Sequence, residues 1–137
     1  MVKQFSGKKY ELDVASQENM DAFLQAAGIA EADRRKEILG HNMTIGVTVN
    51  GDEYTFSLEA AGRKFDTKCK LDEEFDETLW DTTTRSKYSI KGGDTVVHWS
   101  RYPDGKVITS ETKYSADKAL QTITLGDVVA KKTFKAK

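Results

Sequence analysis

The sequence predicts an all-β chain with a small helical cap: an up-and-down antiparallel β-barrel of about ten strands closed by a helix-turn-helix lid. Three observations predict it. Helical periodicity is confined to one short stretch, residues 16–40. From Met43 to the end, apolar residues recur with period two. Turn signals interrupt that pattern every 8–12 residues or so, the spacing of short strands in a sandwich or barrel. That many short strands need either two packed sheets or closure into a barrel. A helical pair inserted solely between the first and second strands favours a barrel with a lid. The whole chain, residues 1–137, is expected to form one domain.

Phe5–Val14 reads as the first strand, with Tyr10 and Leu12 alternating against Glu11 and Asp13. Ser16 is placed as an N-cap with Glu18 in the first turn. Met20, Phe23, Leu24 and Ala27 then form one apolar helical stripe, ended by Gly28. A second helix is expected over Ala30–Leu39. Its apolar face is thin (Ile38, Leu39) and Arg34, Arg35 and Lys36 sit together, which predicts a surface helix.

Met43, Ile45, Val47 and Val49 alternate with smaller or polar residues up to Asn50-Gly51, a strong hairpin signal. Tyr54, Phe56 and Leu58 form the returning strand, and Ala60-Ala61-Gly62 the next turn. Further strands are expected at Phe65–Leu71, Phe75–Leu79, around Tyr88 and Ile90, and at Val96–Trp99. Lys106–Tyr114, Ala119–Leu125 and Val128–Lys135 complete the set. Gly92-Gly93, Pro103-Asp104-Gly105 and Gly126-Asp127 supply the turns.

Composition narrows the function. Lysine plus arginine (21) and aspartate plus glutamate (22) nearly cancel to a net charge of −1. A nucleic-acid partner is therefore not expected. The single cysteine, Cys69, permits no intrachain disulfide. No apolar run marks a signal peptide at the start, and no stretch approaches the ~20 apolar residues of a membrane span. A reducing cytosol is the expected compartment. The sequence carries no Gly-x-Ser-x-Gly, no phosphate-binding glycine loop and no Cys–His pair with supporting spacing, so no enzyme is expected. The acidic run Asp72–Glu77 lacks the glycine and oxygen-ligand spacing of a calcium loop. His41 and His98 have no cysteine partner at zinc spacing. Neither a metal nor a cofactor is expected.

Over essentially its whole length the chain resembles the intracellular lipid-binding proteins, the fatty-acid-binding protein family. The resemblance rests on Phe5-Ser6-Gly7-Lys8, on Gln17–Leu24, on Val49-Asn50-Gly51-Asp52, on Glu73–Thr78 and on Thr122–Val129. The ending looks most like the liver-type members. Desiccation-related heat-soluble proteins of tardigrades share the barrel, and their endings are also similar to Gly126–Lys132.

The resemblance implies a ten-stranded, lipocalin-like (calycin) barrel around a water-filled cavity entered beneath the two helices. It implies a monomeric, non-catalytic cytosolic carrier of fatty acids or similar small amphipathic lipids. The Arg-x-Tyr that often holds the ligand carboxylate reads Lys132-Thr133-Phe134 here, and a second arginine's position reads Thr112. Carried over by position, the head-group set is Lys132, Thr112, His98, Ser100, Gln121 and Ser110. The expected tail contacts are Met20, Phe23, Leu24, Ile45, Tyr54, Phe56, Ile108, Ile123 and Phe134. The expected portal is Arg34, Ile38, Gly62, Arg63, Leu79 and Trp80. Gly62, where many members carry phenylalanine, and Cys69, where an aromatic is common, are expected to widen the entrance or cavity. Arg34, Arg35, Lys36 and Arg63 would form a basic rim for transient contact with anionic membranes. A water-filled, stress-protective barrel and a carrier of a neutral lipid such as a retinoid are the alternative readings.

Overall fold

A computed structural model describes residues 1–137. Ten strands form one antiparallel sheet: β1 (Lys9–Leu12), β2 (Met43–Asn50), β3 (Glu53–Ala60), β4 (Arg63–Lys70), β5 (Phe75–Leu79), β6 (Thr82–Lys91), β7 (Thr95–Arg101), β8 (Val107–Tyr114), β9 (Lys118–Leu125) and β10 (Val128–Ala136). From β2 onward the chain reverses through short turns wherever Gly, Asn or Asp allows it. The first strand also pairs with the last, so the spatial order runs β4-β3-β2-β1-β10-β9-β8-β7-β6-β5. The ring of ladders is therefore open at one place, between β4 and β5.

Closure depends on β1. Though four residues long, it carries two ladders, with Tyr10 opposite both Ile45 of β2 and Ala136 of β10. The phenol of Tyr10 donates to the Ser115 carbonyl (2.8 Å) and its ring meets Tyr114 edge-on at 5.4 Å. β2 approaches β1 so closely at Gly46 that a methyl group there would stand 2.9 Å from the Lys8 carbonyl oxygen.

The first strand is shorter than its sequence pattern suggests. Val2–Phe5 and Val14–Ser16 are single 3-10 turns, so Phe5 and Val14 both lie outside β1. Ser16 is not a helix cap. Its hydroxyl accepts from the Thr133 N–H (2.8 Å) and donates to the Asp13 carbonyl (2.6 Å). Glu18 and Lys131 exchange two backbone hydrogen bonds (2.7 and 2.9 Å), which keeps the chain on β10 and delays the helix. Asn19, in the left-handed region (φ 59°), then turns it into α1 (Met20–Ala26).

The expected stripe Met20, Phe23, Leu24 is the buried face of α1, packed on Ile123 and Ala130. The second helix, α2 (Ala32–Gly40), packs on α1 rather than directly on the barrel wall. Arg35 is the reason. It is not a rim cation but is buried, with Nε on Asp21 (2.8 Å) and a terminal nitrogen on the carbonyls of Ile29 (3.0 Å) and Ala30 (2.8 Å). A guanidinium offers five donors in a fixed fork, so one side chain secures the turn and both helices together.

Replacing Gly46 with alanine forces β1 away from β2. We expect Gly46→Ala to lower the unfolding free energy by about 1–3 kcal/mol, read as a lower denaturant midpoint at unchanged slope. An unchanged midpoint would contradict the tight β1–β2 approach.

Candidate functional site

The barrel interior is not filled. Along β4, Phe65 and Thr67 point inward yet are only half-buried, alternating with exposed outward residues, while Cys69 further along packs against the main core and does not line the cavity. Inward side chains keep accessible surface only when empty space lies before them. That space is a cavity of about 230 Å³ lined by 18 residues, nine of them hydrophobic. Met43, Ile45, Phe56, Leu58, Phe65, Leu79 and Val96 form its apolar wall. Ser110, Thr112, Gln121, Lys132, His98 and Glu77 provide its polar groups.

Two ionisable groups in this cavity have opposite circumstances. Glu77 is buried and fully engaged. Its Oε2 accepts from Tyr88 (2.7 Å) and Thr67 (2.8 Å), and its Oε1 lies 2.8 Å from His98 Nε2. An ionised carboxylate only accepts, so Nε2 carries the proton of that bond. Ser100 Oγ lies 3.0 Å from the same nitrogen and leads on to Ser86 (3.2 Å) and Thr84 (2.8 Å). The His98 ring stacks on Tyr88 at 4.1 Å, and Tyr88 stacks on Phe56 at 4.1 Å. Burial pushes the Glu77 carboxyl up, but bonding and charge from His98, with Tyr88 and Thr67, outweigh it and hold the carboxyl below its ordinary value. Thr67 is on β4 and Glu77 on β5, so this bond bridges the strands that share no ladder.

Lys132 is the contrasting case. It is 7% exposed, and no carboxylate or carbonyl oxygen binds its ammonium. Its contacts are the Met43 sulfur at 3.8 Å and the Phe134 ring at 5.7 Å. Burial alone pulls its pKa down to about 8. Keeping it charged at neutral pH therefore costs roughly 3 kcal/mol. Gln121 stands opposite Lys132 in the β9–β10 ladder and Thr112 opposite Gln121 in the β8–β9 ladder. Gln121 donates to the Thr112 hydroxyl (3.0 Å), leaving the hydroxyl proton free to point at a guest.

Of the expected head-group set, Lys132, Thr112, Gln121, Ser110 and His98 all line the cavity. Ser100 does not; it is buried behind His98. Of the expected tail set, Ile45 and Phe56 line the cavity. Met20, Phe23, Leu24, Ile108 and Ile123 belong instead to the cluster under the lid, while Tyr54 and Phe134 sit in the main core. Strand alternation, or for the α1 residues the helical stripe, marks them as inward, but neighbours fill the space before them. Glu77, Tyr88 and Thr67 were absent from the sequence-based set. The parity Phe75, Glu77, Leu79 was the available signal, since it puts Glu77 on the inward face.

The expected portal residues divide. Arg34 is exposed and Ile38 packs in the lid cluster. Ala61 and Gly62 (φ 52° and 74°) make a two-residue turn between β3 and β4. Gly62 removes bulk, yet the adjoining gap is spanned. Arg63 donates to both carboxylate oxygens of Asp81 (3.2 Å each), and its guanidinium lies 4.9 Å from the Phe65 ring and 5.5 Å from Trp80. Phe65 and Trp80 meet edge-on at 4.8 Å. Trp80 and Asp81 both hold positive φ (52° and 64°), a strained turn for non-glycine residues that this clasp holds in place. Leu79, the residue before them, faces the cavity.

Ten strands around a half-polar cavity, with a buried lysine on the last strand, fit a lipid-binding barrel. Relatives decide the family. A muscle fatty-acid-binding protein of Schistocerca gregaria is 31% identical over 99% of both chains. The chain belongs to the fatty-acid-binding protein family. The fatty-acid-binding protein isolated from Manduca sexta, whose crystal structure is known, is 30% identical and superposes with a TM-score of 0.83 over 96% of this chain and 98% of that one. An abundant heat soluble (SAHS) protein from Ramazzottius varieornatus, also known from a crystal structure, is 30% identical, with a TM-score of 0.80 over 97% of this chain and 95% of that one. No protein-family model matches the chain.

Because the Glu77 carboxyl titrates lower folded than unfolded, it stabilises the barrel above its unfolded value. That contribution fades as pH falls below about 4.5. Thermal unfolding of the native chain should therefore lose midpoint steadily from pH 5 to pH 3. Glu77→Gln should flatten that loss, and an equally steep loss in the variant would contradict the assignment.

Proposed function

We propose that this member of the fatty-acid-binding protein family binds one long-chain fatty acid, or a similar acidic lipid, in its barrel and carries it through the cytosol without catalysis. The single observation behind this reading is Lys132: a buried cation facing an apolar cavity, with no protein anion to neutralise it. A carboxylate guest would supply that anion and recover the cost of burying the charge. The Thr112 hydroxyl and Gln121 stand beside it as hydrogen-bond partners. Ser110 and His98 extend the polar flank, where water would bridge to the guest. The aliphatic tail would lie against Met43, Ile45, Leu58 and Leu79.

A lysine holds a carboxylate through one point charge, without the paired bonds an arginine makes, so recognition of the head group should be loose. The cavity volume of about 230 Å³ favours one chain per barrel. The exposed edge of Trp80, with Arg63 and Arg34, would form a rim for transient contact with anionic membranes, and the monomer is the working unit.

Native mass spectrometry of protein purified without delipidation should show one fatty acid per chain. An empty barrel that also refuses added oleate would overturn the reading. Lys132→Met should weaken oleate binding by roughly 10- to 100-fold while leaving oleyl alcohol nearly unchanged; equal loss for both would remove the head-group role. Oleate affinity should also fall as pH rises through about 8, where Lys132 sheds its proton, and isothermal titration across pH 7–9.5 would show it.

A further inference from the structure

We propose that Lys132 is also a covalent capture site for long-chain aliphatic aldehydes, which it holds as an imine inside the barrel. This goes beyond reversible carriage of an acid. A lysine that merely neutralises a charge is found beside a carboxylate. The one carboxylate lining the cavity, Glu77, is already used by His98, Tyr88 and Thr67. Lys132 Nζ donates one weak hydrogen bond to the Met43 thioether sulfur (3.8 Å) and lies near the ring of Phe134, and neither contact ties up the nitrogen lone pair. The amine is thus unencumbered, and it opens onto a cavity that also takes an aliphatic tail. A desolvated lysine of this kind is a nucleophile towards carbonyl carbon. With its pKa at about 8, about a fifth of it is neutral at pH 7.4, against about a thousandth of an ordinary surface lysine.

The aldehyde would lie as the acid does, tail along the apolar wall and carbonyl at Lys132. The nitrogen lone pair forms the C–N bond as the carbonyl π bond breaks onto oxygen. That oxygen takes one proton from the nitrogen to give a carbinolamine. The hydroxyl then leaves with the second amine proton as one water, and the C=N bond forms. No electrons are exchanged with an outside reagent, and the Thr112 hydroxyl, which lines the same cavity two strands from Lys132, would be a hydrogen-bond partner for the carbonyl oxygen. Burial of Lys132 between Met43 and Phe134 limits access of bulk water to the C=N bond and slows the reverse hydrolysis. The guest chemistry follows: a saturated chain long enough to fill the cavity, ending in an unhindered aldehyde.

The test is reductive trapping. The whole protein is incubated with hexadecanal and cyanoborohydride at pH 7.4, then examined by intact mass and peptide mapping. One adduct per chain is expected at Lys132, formed at least about tenfold faster than at any exposed lysine such as Lys131 or Lys135. Excess oleate should suppress it, and Lys132→Arg should lose it. Propanal, too short to gain from the cavity, should show no such preference. Labelling scattered over exposed lysines with Lys132 unmodified would overturn the proposal, whether or not Lys132→Arg folds. Oleate uptake without the Lys132 adduct would sink this inference and leave the acid-carrier reading standing; an adduct in a barrel that refuses oleate would do the reverse.

Discussion

Pairing of β1 with both β2 and β10 is the constraint on which the rest of this barrel depends. It joins the β2–β4 half of the sheet to the β5–β10 half, and it fixes which face of β10 looks inward. Leu12 opposite Phe134 and Tyr10 opposite Ala136 place Ala130, Lys132 and Phe134 on the interior side and leave Lys131 and Lys135 in solvent. A slip of one residue would reverse the whole strand, burying Lys131 and Lys135 and expelling Phe134. Burying two unpaired ammonium groups in place of one, and exposing Phe134, would cost several kcal/mol, so the register is strongly specified. The Ser16 hydroxyl on Thr133 and the Glu18–Lys131 backbone pair hold the same register from outside the ladder. One buried lysine is thus a consequence of closure, and the cavity chemistry follows from it.

The interior then treats its two ionisable residues differently. Glu77 is drawn into bonds from β4, β6 and β7, and its part is structural, since with Thr67 it joins the two strands that lack backbone pairing. The Arg63 clasp on Asp81 and Trp80 joins the same two regions of the chain through the adjacent turns. The break in the ladder is therefore closed by side chains, which can part and re-form at lower cost than a row of backbone hydrogen bonds. Lys132, on the opposite stretch of wall, has no such role. Its isolation makes the interior electrostatically incomplete without a guest.

The lid follows the same division between fixed and detachable parts. α1 is anchored by Met20, Phe23 and Leu24 on Ile123 and Ala130. α2 is attached to α1 through Arg35 and to the preceding segment by Gln17 on the Leu39 carbonyl (2.8 Å). Its apolar contribution is the pair Ile38 and Leu39 on the edge of the same cluster, a thinner hold than the three buried side chains of α1.

The sequence alone determined the strand count, the hairpin order and the inward parity of most strands, because period-two alternation and turn residues are local properties. It also put Lys132 on an apolar face and, through its motifs, pointed to the family. It could not show that Ser16 would be taken by Thr133, or that Arg35 would leave the surface for Asp21 and two carbonyls. Thr133 lies 117 residues from Ser16, and Asp21 lies 14 from Arg35. Parity likewise could not separate Ile45, which meets the cavity, from Ile123, which meets the lid. Both point inward, and only the three-dimensional arrangement decides whether an inward residue faces empty space or another side chain. The contrast between Glu77 and Lys132 was settled at the same level, since a buried charge is defined by its partners, and distant strands supply them.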